Sequence, residues 1–170
     1  MECLYTELPL SRLRVLHLQY EDTWMDQDNP REIVKRCFGS LPELHTISIT
    51  DNQMAHDMIP ILGQTAAGNQ IGEGSDSAMM LFPAVRTLWL EFCFEKWNTF
   101  TPYVPPAPRP ADVTYDLLEQ LLHVLSIRRR CGCGIENLVL IVCEVSTDGL
   151  NRLKEIVRNV ETYSYEDVYL

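Results

Sequence analysis

Apolar residues recur along the chain in the spacing apolar-x-x-apolar-x-apolar, at Leu13/Leu16/Leu18, Leu44/Ile47/Ile49, Val85/Leu88/Leu90 and Ile135/Leu138/Leu140. Alternation within each block predicts a short strand with one buried face, because successive side chains of a strand point to opposite sides. In the last three blocks Asn52, Cys93 or Cys143 follows three residues after the final apolar position. A chain that leaves its strand in a turn exposes backbone groups there, and a small inward Asn or Cys can satisfy them. Two copies are complete: Leu44-x-x-Ile47-x-Ile49-x-x-Asn52-x-Met54 and Ile135-x-x-Leu138-x-Leu140-x-x-Cys143-x-Val145. The first copy has Glu21 where Asn or Cys is expected, and the third has Glu95 at its last apolar place. Pro42 and Pro83 each stand two residues ahead of their block, where proline favours an extended approach to the strand.

This register is that of a leucine-rich repeat. It predicts an α/β solenoid of about four parallel strands with helices on the convex side, forming one irregular domain over residues 1–170. The plainer alternative is four ordinary buried strands of a mixed α/β domain. The copies lie 31, 41 and 50 residues apart, so insertions must lengthen the repeats. Gln64 to Met80 holds Gly68, Gly72 and Gly74 and reads as a flexible loop. A second insert, near 98–112, carries Pro102, Pro105, Pro106, Pro108 and Pro110 between Thr101 and Pro110, which favours an extended polyproline segment.

Helices fill the remaining intervals. Asn29 as N-cap and Pro30 at the first helical position open one with Ile33, Val34 and Cys37 inward, and Gly39 closes it. Met54 to Leu62 predicts a shorter helix with Pro60 near an end or a kink. Val113, Leu117, Leu118, Leu121, Leu122 and Leu125 form the longest apolar stripe, ending at Arg128-Arg129-Arg130 with Gly132 as the stop. The last helix is expected from Ser146, burying Leu150, Leu153, Ile156, Val157 and Val160.

An apolar fraction of 46% is enough for a core, and no run reaches the length of a membrane span. The start, with Glu2 and Glu7, lacks a secretory pattern, so an intracellular location is expected, cytoplasmic or nuclear. Six scattered cysteines read as reduced thiols, not a disulfide framework. A net charge of −10 disfavours nucleic acid and anionic membranes and favours a protein partner with a basic patch.

Catalytic and metal chemistry finds little support in the residues. Cys131-Gly132-Cys133-Gly134 beside three arginines lacks a second ligand pair, and reads as a helix end capped by basic residues and turned by glycines. Gly63-x-x-x-x-Gly68 is followed by Asn69 where a phosphate loop needs lysine. His17, His45, His56 and His123 show no ligand spacing, and Glu21, Asp22, Asp26 and Asp28 lack the pattern of a calcium loop. No cofactor and no metal are expected. The competing reading, an enzyme on a small parallel sheet, has no visible nucleophile and base to carry it, and a structural fragment of a larger repeat protein stays open.

The proline-led strand openings, the leucine-rich helix ending in arginines before Gly134-Ile135-Glu136-Asn137-Leu138-Val139-Leu140, and Cys143-Glu144-Val145-Ser146 with Leu150 to Val160 together resemble the C-terminal repeats of fungal-type F-box proteins. The likeness runs from Leu8 to Glu161. It implies a non-catalytic substrate-recognition region of a ubiquitin ligase subunit. No F-box is visible in the sequence, so a cullin-ligase adaptor is implied only if an F-box lies outside this chain.

With Leu16 and Leu18 inward, His17 and Gln19 face the other way, as do Thr46, Ser48 and Thr50, then Thr87, Trp89 and Glu91, then Asn137, Val139 and Ile141. His17, Gln19, Ser48, Thr50, Trp89 and Glu91 are the expected partner-binding residues, with Trp89 as the anchor. Burial of Trp89 under the proline-rich insert, against Tyr103, is the alternative. Val139 and Ile141 need cover, which the acidic aromatic tail, Thr162 to Leu170, could supply.

Overall fold

The computed structural model describes residues 10–19, 30–65, 79–93 and 117–170. Five strands, β1 (Val15–Gln19), β2 (Thr46–Thr50), β3 (Thr87–Glu91), β4 (Asn137–Ile141) and β5 (Asn159–Tyr163), form one sheet in sequential order. Every neighbouring pair is parallel. Parallel neighbours need a crossover between them. Each of the four crossovers contains a described helix, the first, second and fourth being α1 (Pro30–Phe38), α2 (Asn52–Leu62) and α4 (Thr147–Ile156). The third carries α3 (Leu117–Arg130), and α5 (Tyr165–Tyr169) follows β5.

Register explains the core. Leu16, Ile47, Leu88 and Leu138 align across the sheet, followed by Val160, and Leu18, Ile49, Leu90 and Leu140 form a second row ending at Thr162. These eight leucines and isoleucines are buried and share one cluster with Val34 of α1, Met58 and Ile59 of α2, Leu121 and Leu125 of α3, and Leu153 of α4. Helices α1 to α4 lie side by side in chain order, each touching the next. Among the described residues, α1 to α4 cover one face of the sheet.

The count of four strands is corrected to five. The last helix stops at Ile156, and Val160, expected on that helix, lies in β5 opposite Leu138. Val157 is buried at the helix C-cap, at the place Ile135 holds ahead of β4. Thus Val157-x-x-Val160-x-Thr162 repeats the strand spacing with threonine in place of the last apolar residue. The first residues of the expected tail, Thr162 and Tyr163, complete this strand, and α5 begins at a Ser164 cap whose hydroxyl and amide engage Asp167. Ser164 and its amide hold the Asp167 carboxyl below its ordinary range.

Of the other expected boundaries, the start of the third helix at Val113 lies outside the described residues. α1 begins at Pro30 and the Gly39 amide closes it on the Lys35 carbonyl at 3.0 Å; Asn29 lies outside the described residues. α2 starts two residues earlier than expected, at Asn52, and contains Pro60 near its end. Gly132, at φ 73°, ends the turn after α3, and Ser146 caps α4 by accepting from the Gly149 amide at 3.1 Å. Of the first insert, Thr65 and Met80 are paired and buried at its two ends; the 98–112 insert lies outside the described residues.

Each of β2, β3 and β4 leaves the sheet through the same turn. The residue just past the strand has positive φ: Asp51 (82°), Phe92 (52°) and Val142 (49°). Its amide donates to the last residue of the next strand, Asp51 to Glu91 at 2.9 Å, Phe92 to Ile141 at 3.0 Å and Val142 to Tyr163 at 2.8 Å. The next side chain is Asn52, Cys93 or Cys143. The two thiols repeat one pattern: Cys93 points at the carbonyls of Glu91 (3.3 Å) and Ile49 (3.8 Å), Cys143 at those of Ile141 (3.4 Å) and Leu90 (3.2 Å). Only Cys93 is fully buried; Asn52, expected buried at an equivalent position, and Cys143 are half-buried. The Cys143 thiol alongside, and then burial, push the Cys93 thiol far above its ordinary range and keep it protonated.

Asp51 combines strain with capping. At φ 82° and ψ 155° it occupies a region that suits glycine almost alone, while its carboxylate accepts from the Met54 amide at 2.8 Å and caps α2. Glycine removes the strain, worth about 1–3 kcal/mol, and is only a few tenths worse as a cap. Alanine keeps the strain and loses the cap, at about 1 kcal/mol. Urea unfolding should therefore rank Asp51→Gly above wild type and Asp51→Ala below it; the reverse order would mean that the carboxylate, not the backbone, governs this turn.

The most buried polar side chain lies on α3. Arg128 is fully buried, and its Nη1 donates to the carbonyls of Leu62 and Leu81 at 3.0 Å each, while Nη2 donates to Phe82 at 2.7 Å. The three arginines were expected to satisfy the end of their own helix. Instead Arg128 turns inward to join the α2 terminus to the segment entering β3, and Arg129 donates to Glu155 of α4 at 2.7 Å. Burial lowers the basicity of Arg128.

Candidate functional site

The sheet face opposite the helices carries alternate residues of all five strands. Along its middle row run His17, Ser48, Trp89, Val139 and Glu161; along the row at the strand ends run Gln19, Thr50, Glu91, Ile141 and Tyr163. All six expected partner-binding residues lie on this face, because the buried positions of each strand are the alternate ones.

Four of the six form a hydrogen-bonded chain across three strands. His17 Nδ1 is 2.9 Å from the Ser48 hydroxyl, its Nε2 is 3.5 Å from the Thr50 hydroxyl, and Thr50 donates to Glu91 Oε2 at 3.3 Å. One proton arrangement satisfies all three contacts: Ser48 donates to Nδ1, Nε2–H donates to Thr50, and Thr50 donates to Glu91. Cross-strand pairs of this kind hold long polar side chains in one orientation. Gln19 is exposed at the end of β1, level with Thr50.

Trp89 stands beside this chain, level with Ser48 on one side and Val139 on the other. It is 41% exposed, so the ring is not enclosed, and Tyr103, its proposed cover, lies outside the described residues. Val139 and Ile141 are 6% and 8% exposed although they point away from the core. Their neighbours in register are Trp89 and Glu161 for Val139, and Glu91 and Tyr163 for Ile141. Tyr163 is 40% exposed and donates to Glu161 at 2.8 Å, which ties the two β5 side chains together; that carboxylate pushes the phenol up. Glu161 and Tyr163 were missed because β5 was missed.

Ser48 and His17 are the residue types of a nucleophile and its base. Nucleophilic acyl transfer needs donors aimed at a developing oxyanion and a cleft that excludes water. Among the described residues the pair lies on the sheet face opposite the helices, and β2, which carries Ser48, is paired on both sides in the parallel ladder. What the arrangement offers is an aromatic and aliphatic centre bordered by oriented polar groups. Among the fifteen outward positions of the five strands the charged side chains are Glu91 and Glu161, with no lysine or arginine.

Elsewhere the candidate chemistry disperses. Cys131 is exposed and Cys133 buried, with burial pushing the Cys133 thiol up, and the described cysteines are all free. Among the described residues no group of three His, Cys, Asp or Glu is placed to hold a metal ion, and no helix is long and apolar enough to cross a membrane. No family model matches the chain, and no curated protein or solved structure is significantly similar to it.

Proposed function

We propose that the chain is a leucine-rich-repeat-like solenoid that binds another protein across the sheet face opposite the helices, here taken as the concave one. Its resemblance to fungal-type F-box repeats makes the substrate-recognition region of an intracellular ubiquitin ligase subunit the favoured setting. Sequential strand order supports the solenoid, since each strand and its turn add the same unit to the last. A doubly wound enzyme would need a reversal of strand order with a crevice at the switch point. The observation that carries the binding role is Trp89, half-open to solvent amid the buried Val139 and the bonded chain from His17 to Glu91. Aromatic side chains at the centre of a water-excluding patch dominate binding energies. Glu91 and Glu161, the charged side chains among the outward strand positions, favour a partner with a basic patch.

Crosslinking-assisted capture from cell extract, run beside thermal unfolding, tests this. Trp89→Ala should lose about 2 kcal/mol or more of binding, with little change in melting temperature. Glu91→Lys should reverse any preference for basic partners. Capture unchanged by Trp89→Ala would sink the assignment of this face, and unfolding of the variant would make the ring structural.

A further inference from the structure

The strands begin on an edge whose charge opposes that of the whole chain. A cleft of about 490 Å³ opens there, lined by Arg86, Arg129, Lys154 and Arg158, with Glu136 and Glu155 and an aliphatic floor that includes Ile135 and Val157. Four cations against two carboxylates leave a formal +2 on a chain of net −10.

Helix ends are the first explanation to weigh. α3 and α4 both terminate beside the cleft, and each C-terminus carries roughly half a negative charge. Together these offset about one of the two positive charges. An excess of about one charge remains, and the arginines are anchored independently of any ligand. Arg86 Nη1 donates to Pro83 (2.9 Å) and Val85 (3.0 Å), and its Nε lies 3.7 Å from Glu136. Arg129 Nη1 donates to Glu155 (2.7 Å) and Ile156 (3.4 Å). In both, Nη2 stays free of these contacts. Lys154 and Arg158 are exposed and make no hydrogen bond or ion pair with a described residue.

We propose that this cleft binds a phosphomonoester. The cations come from the head of β3, the ends of α3 and α4, and the approach to β5, so they surround the cleft from several sides. A tetrahedral anion with three acceptor oxygens can engage donors from several directions, whereas a planar carboxylate matches one guanidinium fork. Two anchored guanidiniums lose little freedom on binding, and Lys154 and Arg158 can close over the ligand. The floor of Ile135 and Val157 suits an apolar ester body. The site is separate from the sheet face opposite the helices and stands whether or not that face binds a protein.

The test is a titration of isotopically labelled full chain with phenyl phosphate, followed by amide shifts. Saturable shifts are expected at Gly132, Gly134 and Arg158, with Ser48 and Trp89 unmoved, and benzyl alcohol should reproduce none of them. Lys154→Gln with Arg158→Gln should weaken binding by about tenfold or more, which for two charge-assisted contacts is a modest expectation, and leave the melting temperature unchanged. A phosphoserine peptide bound much more tightly than phenyl phosphate identifies a protein-borne phosphate, and equal binding identifies a free one; either supports the site. No saturation, equal response to benzyl alcohol, or unaltered affinity in the double variant would overturn it.

Discussion

Replacing Arg128 by alanine is expected to remove about 3–5 kcal/mol of stability, a large share of what a domain of this size has. Two buried carbonyls, those of Leu62 and Leu81, lose this donor, and that of Phe82 keeps only the Val85 amide at 3.2 Å. An unsatisfied buried acceptor costs about 1–3 kcal/mol, and the vacated volume adds a cavity term. Among the described residues no carboxylate pairs with this cation, and the penalty comes from the orphaned carbonyls. Arg128→Lys keeps the charge but cannot reach three carbonyls with the same planar fork, and should fall between alanine and wild type. Chemical unfolding measures the loss. Hydrogen exchange should show the Leu81 amide, bonded to Gln64 at 2.9 Å, opening first. A change below about 1 kcal/mol would mean that water replaces the guanidinium without strain.

Cys93→Asp should be comparably damaging, and for a different reason. The thiol is fully buried and surrounded by acceptors, the carbonyls of Glu91, Asp51 and Ile49 at 3.3, 3.5 and 3.8 Å. An ionised carboxylate there meets carbonyl lone pairs and offers no hydrogen, and taking up a proton to supply one is itself costly at neutral pH, so several kcal/mol are lost. Cys93→Asn brings an amide that can donate to the same carbonyls and should remain close to wild type. The equivalent change at half-buried Cys143 should cost less. Melting temperatures of the three variants decide it; equal values for Cys93→Asp and Cys93→Asn would remove the carbonyl ring from the explanation.

Four strands and the orientation of every residue on them were legible because a single alternation, repeated with Asn or Cys at one distance, leaves little freedom of register. β5 escaped because Leu150, Leu153, Ile156, Val157 and Val160 continue a helical period, and no glycine or proline interrupts it before Val160. Tertiary pairing with β4 overrode that period. The role of Arg128 was hidden for another reason: three consecutive arginines point in three directions from a helix, and only packing decides which one is enclosed. The polar chain on the face opposite the helices was foreseen as a set of residues but not as a bonded network, since its links join strands 31 to 41 residues apart. The basic cleft draws on Arg86, Arg129, Lys154 and Arg158, which share no motif.

The turns after β2, β3 and β4 make each unit answerable to the one that comes next. Asp51, Phe92 and Val142 hold a conformation worth about 1–3 kcal/mol of strain while bonded to the end of the following strand. Ser164, which follows β5, relaxes to φ −80°. Dependence therefore runs one way along the chain: a strand cannot complete its exit until its successor has docked. Unravelling that starts at β5 frees the Val142 amide first, then that of Phe92, then that of Asp51, so the molecule comes apart from its C-terminal end like a row of clasps, each released by the loss of its neighbour. Nascent chains face the converse, since every exit turn formed during synthesis waits in an incomplete state for residues not yet made.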